Sequence, residues 1–175
     1  MEYCYKCGTK LTEKECFNCN VSEGIVPYCP TCHDFRFPFF NTAVSTVIYN
    51  KDCSKILLIK QYGNDWNILV AGYVSKCETL EHALIREIKE EVGLNITKFM
   101  FNESQYFDKS NSLICNFISI SESEKFVCNN EVDYAAWYEI ETAKEVILKH
   151  GLAEYFLLKS LNKIDLIRQI PLICN

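Results

Sequence analysis

The sequence predicts an α/β domain preceded by a small metal-stapled segment, and three observations carry that expectation. Six of the eleven cysteines fall in three CxxC pairs before residue 33, namely Cys4/Cys7, Cys16/Cys19 and Cys29/Cys32. From Thr42 onward, β-rich runs alternate with turn residues. A helical stretch ending at Gly93, and further helical segments near the C-terminus, complete the mixture. The expected division is a ribbon over residues 1–38 and a larger domain over 39–175.

Two CxxC knuckles on neighbouring turns can set four thiolates tetrahedrally around Zn²⁺, and the ion replaces a core that so short a segment cannot build. Cys7 is followed by Gly8 and Cys29 by Pro30, both suited to a tight turn presenting sulfurs. Cys16-Phe-Asn-Cys19 has neither feature. The expected Zn²⁺ ligands are therefore Cys4, Cys7, Cys29 and Cys32, with Cys16 and Cys19 in the intervening loop. Pairing Cys4/Cys7 with Cys16/Cys19 is the sterically reasonable rival. Four thiolates close a zinc site, so its role would be structural. The scattered Cys53, Cys77, Cys115, Cys128 and Cys174 read as reduced thiols.

Phe35 to Phe40 forms an apolar bridge into the larger domain. Thr42–Tyr49 and Lys55–Gln61 flank Asn50-Lys51-Asp52 and read as a hairpin. Gly63-Asn64-Asp65 marks a turn, after which Trp66–Val74 supplies a short strand. Further strands are expected at Ile96–Phe107, Ser112–Ile120 and Ala135–Tyr138. Residues from about Thr142 to Asn162 read as two helical segments broken at His150-Gly151.

The informative stretch is GYVSKCETLEHALIREIKEEVGL, from Gly72 to Leu94. Gly93 stops its helix, because glycine adopts the left-handed conformation without a Cβ clash. At helical spacing Leu84, Ile85, Ile88 and Val92 form a core-facing stripe. Glu87, Glu90 and Glu91 gather beside it. Three carboxylates that close repel one another and hold protons more tightly unless a cation sits among them. The matching cation is hard and oxygen-loving, Mg²⁺ or Mn²⁺.

Gly72, five residues, Glu78, seven residues, Arg86-Glu87-Ile88, one residue, Glu90-Glu91, one residue, Gly93-Leu94 resembles the Nudix hydrolase signature at every defined position. The resemblance implies an α/β/α sandwich with a mixed β-sheet. Its loop-helix-loop would hold divalent metal against a diphosphate. Glu87, Glu90 and Glu91 would be metal ligands, with Glu90 or Glu91 as the base. Glu78 and Arg86 would support the loop by pairing with each other. Gly72 would let backbone approach the phosphates, and Tyr73 occupies a position suited to stacking on a base.

A zinc ribbon ahead of that signature is similar to the NADH pyrophosphatase branch of the family. The branch carries a motif of the form SQPWPFPxSLM. Here Ser104-Gln105-Tyr106-Phe107 leads to Ser112-Leu113 without its three prolines, which leaves the substrate open. Gln105 is the candidate substrate contact in that motif. Glu131, in EVDYAAWY, resembles a downstream acid that joins the metal site. What the resemblance implies is hydrolysis of the pyrophosphate bond in a nucleoside diphosphate derivative, NADH or a related dinucleotide. Alternatives are ADP-ribose or a nucleotide sugar, the NAD cap of an RNA, or nucleotide binding without catalysis. A homodimer is the implied assembly.

With 23 acidic and 18 basic residues, the net charge of −5 argues against a broad nucleic-acid-binding surface. MEYCYKCG has no apolar signal region, and no run of residues is apolar enough to span a membrane. A cytoplasmic location is expected, and there a CxxC pair reads as metal ligation rather than a disulfide.

Overall fold

A computed structural model of the chain describes residues 1–172, so Cys174 lies outside the described residues. The chain separates into two compact units, Met1–Phe40 and Asn41–Asn175.

In the first unit, β1 (Thr12–Asn18) and β2 (Val21–Cys29) form an antiparallel hairpin, and a short β3 (Asp34–Phe35) pairs with β2. The expected loop is thus a hairpin. Cys16 lies within β1, while Cys19 sits in the two-residue turn with Asn20, both at positive φ. Alternation over these residues is too polar to announce strands. Their pairing follows from the knuckles that bracket them.

The second unit is built on a mixed six-stranded sheet. Its strands are β4 (Asn41–Tyr49), β5 (Lys55–Gln61), β6 (Val70–Tyr73), β7 (Ile96–Phe107), β8 (Ser112–Ser121) and β9 (Val132–Glu139). The main path runs β7-β8-β4-β5-β9. β4 and β8 are parallel along their whole length, whereas the other pairs are antiparallel. On its other edge β4 meets β6 with its first half and β5 with its last residues. This split places Gly72 on β6 opposite Val44.

Helix α1 (Leu80–Val92) covers one face of the sheet. The Thr79 hydroxyl caps it by accepting from the His82 N–H at 3.2 Å, and Gly93 ends it at φ 65° with its N–H on the Lys89 carbonyl. Helices α2 (Ile140–Val146), α3 (Leu152–Leu161) and α4 (Ile164–Gln169) cover the opposite face. The sandwich follows from side chains alternating along each strand. Leu57 and Ile59 join Leu84, Ile88 and Val92 of α1, while Ile56 and Leu58 join Ala143, Phe156, Leu157 and Ile167.

The last strand is longer than the expected Ala135–Tyr138, and two details of the helices also differ from expectation. Ile85 is 39% exposed, and Ala83 takes its place in the buried stripe. Beyond the two expected C-terminal helices, Ile164–Gln169 forms a third, which buries Ile167.

Candidate active site

Glu87, Glu90 and Glu91 of α1 occupy three different environments. Glu91 is 3% exposed and accepts a hydrogen bond from the Gln61 amide, Nε2 to Oε1 2.9 Å. Its other oxygen, Oε2, is buried and has no hydrogen-bond partner. Desolvation, joined by the charges of Glu87 and Glu131, raises its pKa to about 7 against the opposing help of Gln61 and the Ala71 backbone N–H. Glu87 lies one turn earlier, and burial raises its pKa despite its contact with Arg86. Glu90 faces solvent, its side chain 56% exposed.

Arg86 bridges the remaining charges. It grips both oxygens of Glu78 (2.8 and 2.9 Å), reaches Glu87 Oε1 at 2.8 Å and Glu90 Oε2 at 3.1 Å, and donates to the Tyr73 carbonyl at 3.0 Å. Glu78 also accepts from the Ser75 N–H at 2.9 Å, and the Arg86 contact holds its carboxyl down to about 2. One guanidinium therefore ties the loop entering α1 to two acids of the helix.

Gly72 lies beneath Glu87. A Cβ added at residue 72 would stand 1.9 Å from Glu87 Cδ, so the carboxylate occupies space that only glycine leaves open. Glu131 lies in the segment just before β9. The segment before β9 is pinned to the end of α1 by Val127 N–H on Val92 O (3.0 Å) and Asn129 N–H on Glu91 O (3.1 Å). Asn129 Oδ1 then accepts from the Glu131 N–H at 2.9 Å. The Glu131 charge raises the pKa of Glu87, Glu91 and Tyr62 alike, after desolvation in each case.

Tyr73 is exposed at the end of β6, beside the Arg86 cluster. Gln105 is not brought to the acids. Its amide donates to the Tyr155 hydroxyl at 3.1 Å, on the face of the sheet that carries α3. Gln61 and Tyr62 were missed by the sequence reading. Their only local signal is a polar residue closing the apolar run of β5.

These residues suit a hard divalent cation. A buried carboxylate with an open oxygen, pushed toward neutrality first by burial and then by neighbouring acids, is an arrangement that added positive charge relieves. The glutamates are not drawn as tightly together as the cysteines. Among the described residues, the group of three or more such donors whose atoms all lie within 4.8 Å of one another is Cys4, Cys7, Cys29 and Cys32.

Those four sulfurs lie 3.4 Å (Cys7–Cys32), 3.5 Å (Cys7–Cys29) and 3.9 Å (Cys4–Cys32) apart. A tetrahedron with Zn–S bonds of about 2.3 Å has edges of about 3.8 Å, so the set fits Zn²⁺. Cys16, paired with Glu23, and the exposed Cys19 stand outside the cluster. Arg36, 1% exposed, donates Nε to Cys4 Sγ at 3.2 Å, donates Nη1 to the Phe35 carbonyl at 2.9 Å, and lies 5.2 Å from the Tyr5 ring. Burial works against the Cys4 thiolate, yet Arg36 and the amides of Lys6 and Cys7 outweigh it and bring the thiol down to about 6. Its neighbours, chiefly Cys7, push Cys32 up to about 12. Arg36 offsets one sulfur only, so four thiolates packed this closely call for a metal cation among them.

Comparison with known proteins agrees with this architecture. The chain is 20% identical over 156 residues to the NAD-capped RNA hydrolase NudC of Pseudomonas aeruginosa, covering 89% of this chain and 54% of that protein. It is 25% identical over 163 residues to human NAD-capped RNA hydrolase NUDT12, covering 89% of this chain and 34% of that protein. It thus spans about half the length, or less, of these curated relatives. A crystal structure of a NUDIX hydrolase from Nitrosomonas europaea superposes with a TM-score of 0.67 at 16% identity, covering 98% of this chain and 95% of that one. The NUDIX domain model matches residues 39–157, which include the whole of the Gly72–Leu94 stretch, and the chain belongs to that family.

Proposed function

We propose that the chain is a divalent-metal-dependent hydrolase of the pyrophosphate bond in a nucleoside diphosphate derivative, with NADH or a related dinucleotide as first candidate. The observation that carries this reading is the enclosed Glu91, whose open oxygen is joined by the charges of Glu87 and Glu131. Glu87, Glu90, Glu91 and Glu131 would hold Mg²⁺ or Mn²⁺. Bound there, the ion would offset phosphate charge and acidify a water.

The chain's own residues divide the remaining work. Gly72 makes room for Glu87, and Arg86 with Glu78 fixes the loop between β6 and α1. Glu91, shut away from solvent, suits ion holding. Glu90, half-exposed and held through one oxygen, is the acid able to pass a proton to solvent, and we assign it the role of base. Tyr73 offers an exposed ring beside the cluster for a base to stack on. Cys4, Cys7, Cys29 and Cys32 would hold a structural Zn²⁺.

The printed activity of the two relatives favours a second substrate, an RNA bearing an NAD cap. Both substrates present the same phosphoanhydride. A panel of NADH, NAD, ADP-ribose, nucleotide sugars and an NAD-capped oligonucleotide, assayed with Mg²⁺ and with Mn²⁺, distinguishes them by the mononucleotide released. Release that needs the divalent ion and is lost in Glu90→Gln is expected. Failure to cleave any member of the panel refutes the enzyme reading. A cytoplasmic homodimer completes the proposal. Among the described residues, no helix is long and apolar enough to cross a membrane.

A further inference from the structure

We infer that Gln61 is the positioning residue for Glu91, an uncharged clamp that fixes one carboxylate oxygen and leaves the other open for a divalent cation. The inference rests on the reading of the acidic cluster as a metal site, and it adds a residue outside the signature.

Gln61 closes β5, and its side chain shares the parity of Leu57 and Ile59, toward α1. It is 7% exposed, and its amide donates to Glu91 Oε1 at 2.9 Å. Its backbone is held as well, because Asn64 donates both its N–H (3.1 Å) and its Nδ2 (3.0 Å) to the Gln61 carbonyl. The clamp is therefore anchored at both ends.

The type of donor matters more than its presence. Arg86 is placed on Glu78, Glu87 and Glu90, and among the described residues no ion pair reaches Glu91. A cationic partner would neutralise Glu91 and compete with a metal ion. An apolar partner would leave the carboxylate to the Ala71 backbone N–H alone and so less firmly oriented. An amide holds the oxygen without adding a charge that would neutralise the carboxylate.

The test uses the full chain and Mn²⁺ alone, with Gln61→Leu and Gln61→Lys. Affinity is read from the spin-resonance signal of free Mn²⁺, and the metal-free thermal midpoint is read separately. Gln61→Leu is expected to weaken Mn²⁺ binding about 10–100-fold with an unchanged circular dichroism spectrum. Gln61→Lys is expected to raise the metal-free midpoint, because its ammonium pairs with the enclosed carboxylate, and to abolish the Mn²⁺-induced rise. Wild-type Mn²⁺ affinity in both variants overturns the inference. So does a Gln61→Lys protein that melts earlier yet binds Mn²⁺ normally, since that is the mark of a packing role. A wild-type chain that binds no Mn²⁺ overturns the metal-site reading and this inference with it. A wild-type chain that binds Mn²⁺ but hydrolyses nothing, with binding weakened in Gln61→Leu, refutes only the hydrolase reading.

Discussion

The carboxylate of Glu87 rests directly on the α-carbon of Gly72, where a methyl group would stand 1.9 Å from its carboxyl carbon. Two residues of the signature are therefore one packing unit. Gly72→Ala must push Glu87 aside, a strain of about 1–3 kcal/mol, whatever the ligand. Displacing a cluster acid by about 1 Å is expected to cost at least about 10²-fold in turnover. In a Glu87→Ala background the obstruction is gone, and Gly72→Ala should then cost no more than about 0.5 kcal/mol. Urea titrations of the four proteins in this cycle measure the coupling, and additive effects would contradict it.

Arg86 is the internal counter-ion of the loop. Its removal in Arg86→Ala leaves Glu78, Glu87 and Glu90 facing one another, so the metal-free midpoint is expected to fall. Millimolar Mg²⁺ should then raise the midpoint more than it does in the wild type, because the ion supplies the missing charge. The pH dependence carries the same signature. Glu78 is depressed from 4.5 to about 2 in the folded chain, chiefly by Arg86, so its contribution to stability is present above 4.5 and lost as pH falls through about 2. Arg86→Ala should flatten the stability profile over that window. Arg86→Lys should not restore it, since an ammonium cannot grip both oxygens of Glu78 while spanning to Glu87 and Glu90.

What was legible in the sequence is what is local. Gly93 stops α1 because φ 65° favours glycine, and the strands at 96–107 and 112–121 follow their β-rich composition. Glu78, Arg86 and Glu87 meet because they lie on one loop and one helix face. Gln61 and Tyr62 reach the acids only through the sheet, where β5 runs beneath α1, and no spacing in the chain announces that. Ile85 faces outward because the buried stripe of α1 is narrower than its run of apolar residues, and small Ala83 packs inside it instead. Arg36 hides in the apolar run FRFPFF, and its meaning depends on a sulfur 32 positions earlier.

The cysteine quartet yields a prediction independent of catalysis. Metal analysis of the purified chain should find zinc, which is lost in Cys4→Ser or Cys29→Ser and retained in Cys16→Ser and Cys19→Ser. Zinc retention by Cys29→Ser together with loss in Cys16→Ser would favour the rival pairing. Arg36 damps the charge of the Cys4 sulfur at 3.2 Å. Arg36→Met should therefore speed zinc transfer to a chelator, by about 10-fold. Hydrogen exchange across residues 1–40 would rise as the ion leaves, because the segment's core is the metal itself.

Glu91 links proton, metal and stability in one carboxyl group. Desolvation first, then Glu87 and Glu131, raise its pKa from 4.5 to about 7 in the folded chain. Between those values the folded chain binds more protons than the unfolded one, so stability falls as pH rises from 4.5 through about 7. The ceiling of that loss is about 3 kcal/mol. A divalent cation binds the ionised form, so Mn²⁺ should raise the thermal midpoint strongly at pH 8 and weakly at pH 5.5. Glu91→Gln keeps the shape and removes the charge. It should be more stable than the wild type at pH 8 without metal, lose this part of the pH slope, and bind Mn²⁺ at least about 10-fold more weakly. Thermal melts at the two pH values, with and without Mn²⁺, test all three expectations. An equal Mn²⁺ response at both pH values would mean that the ion, if it binds, does not engage Glu91.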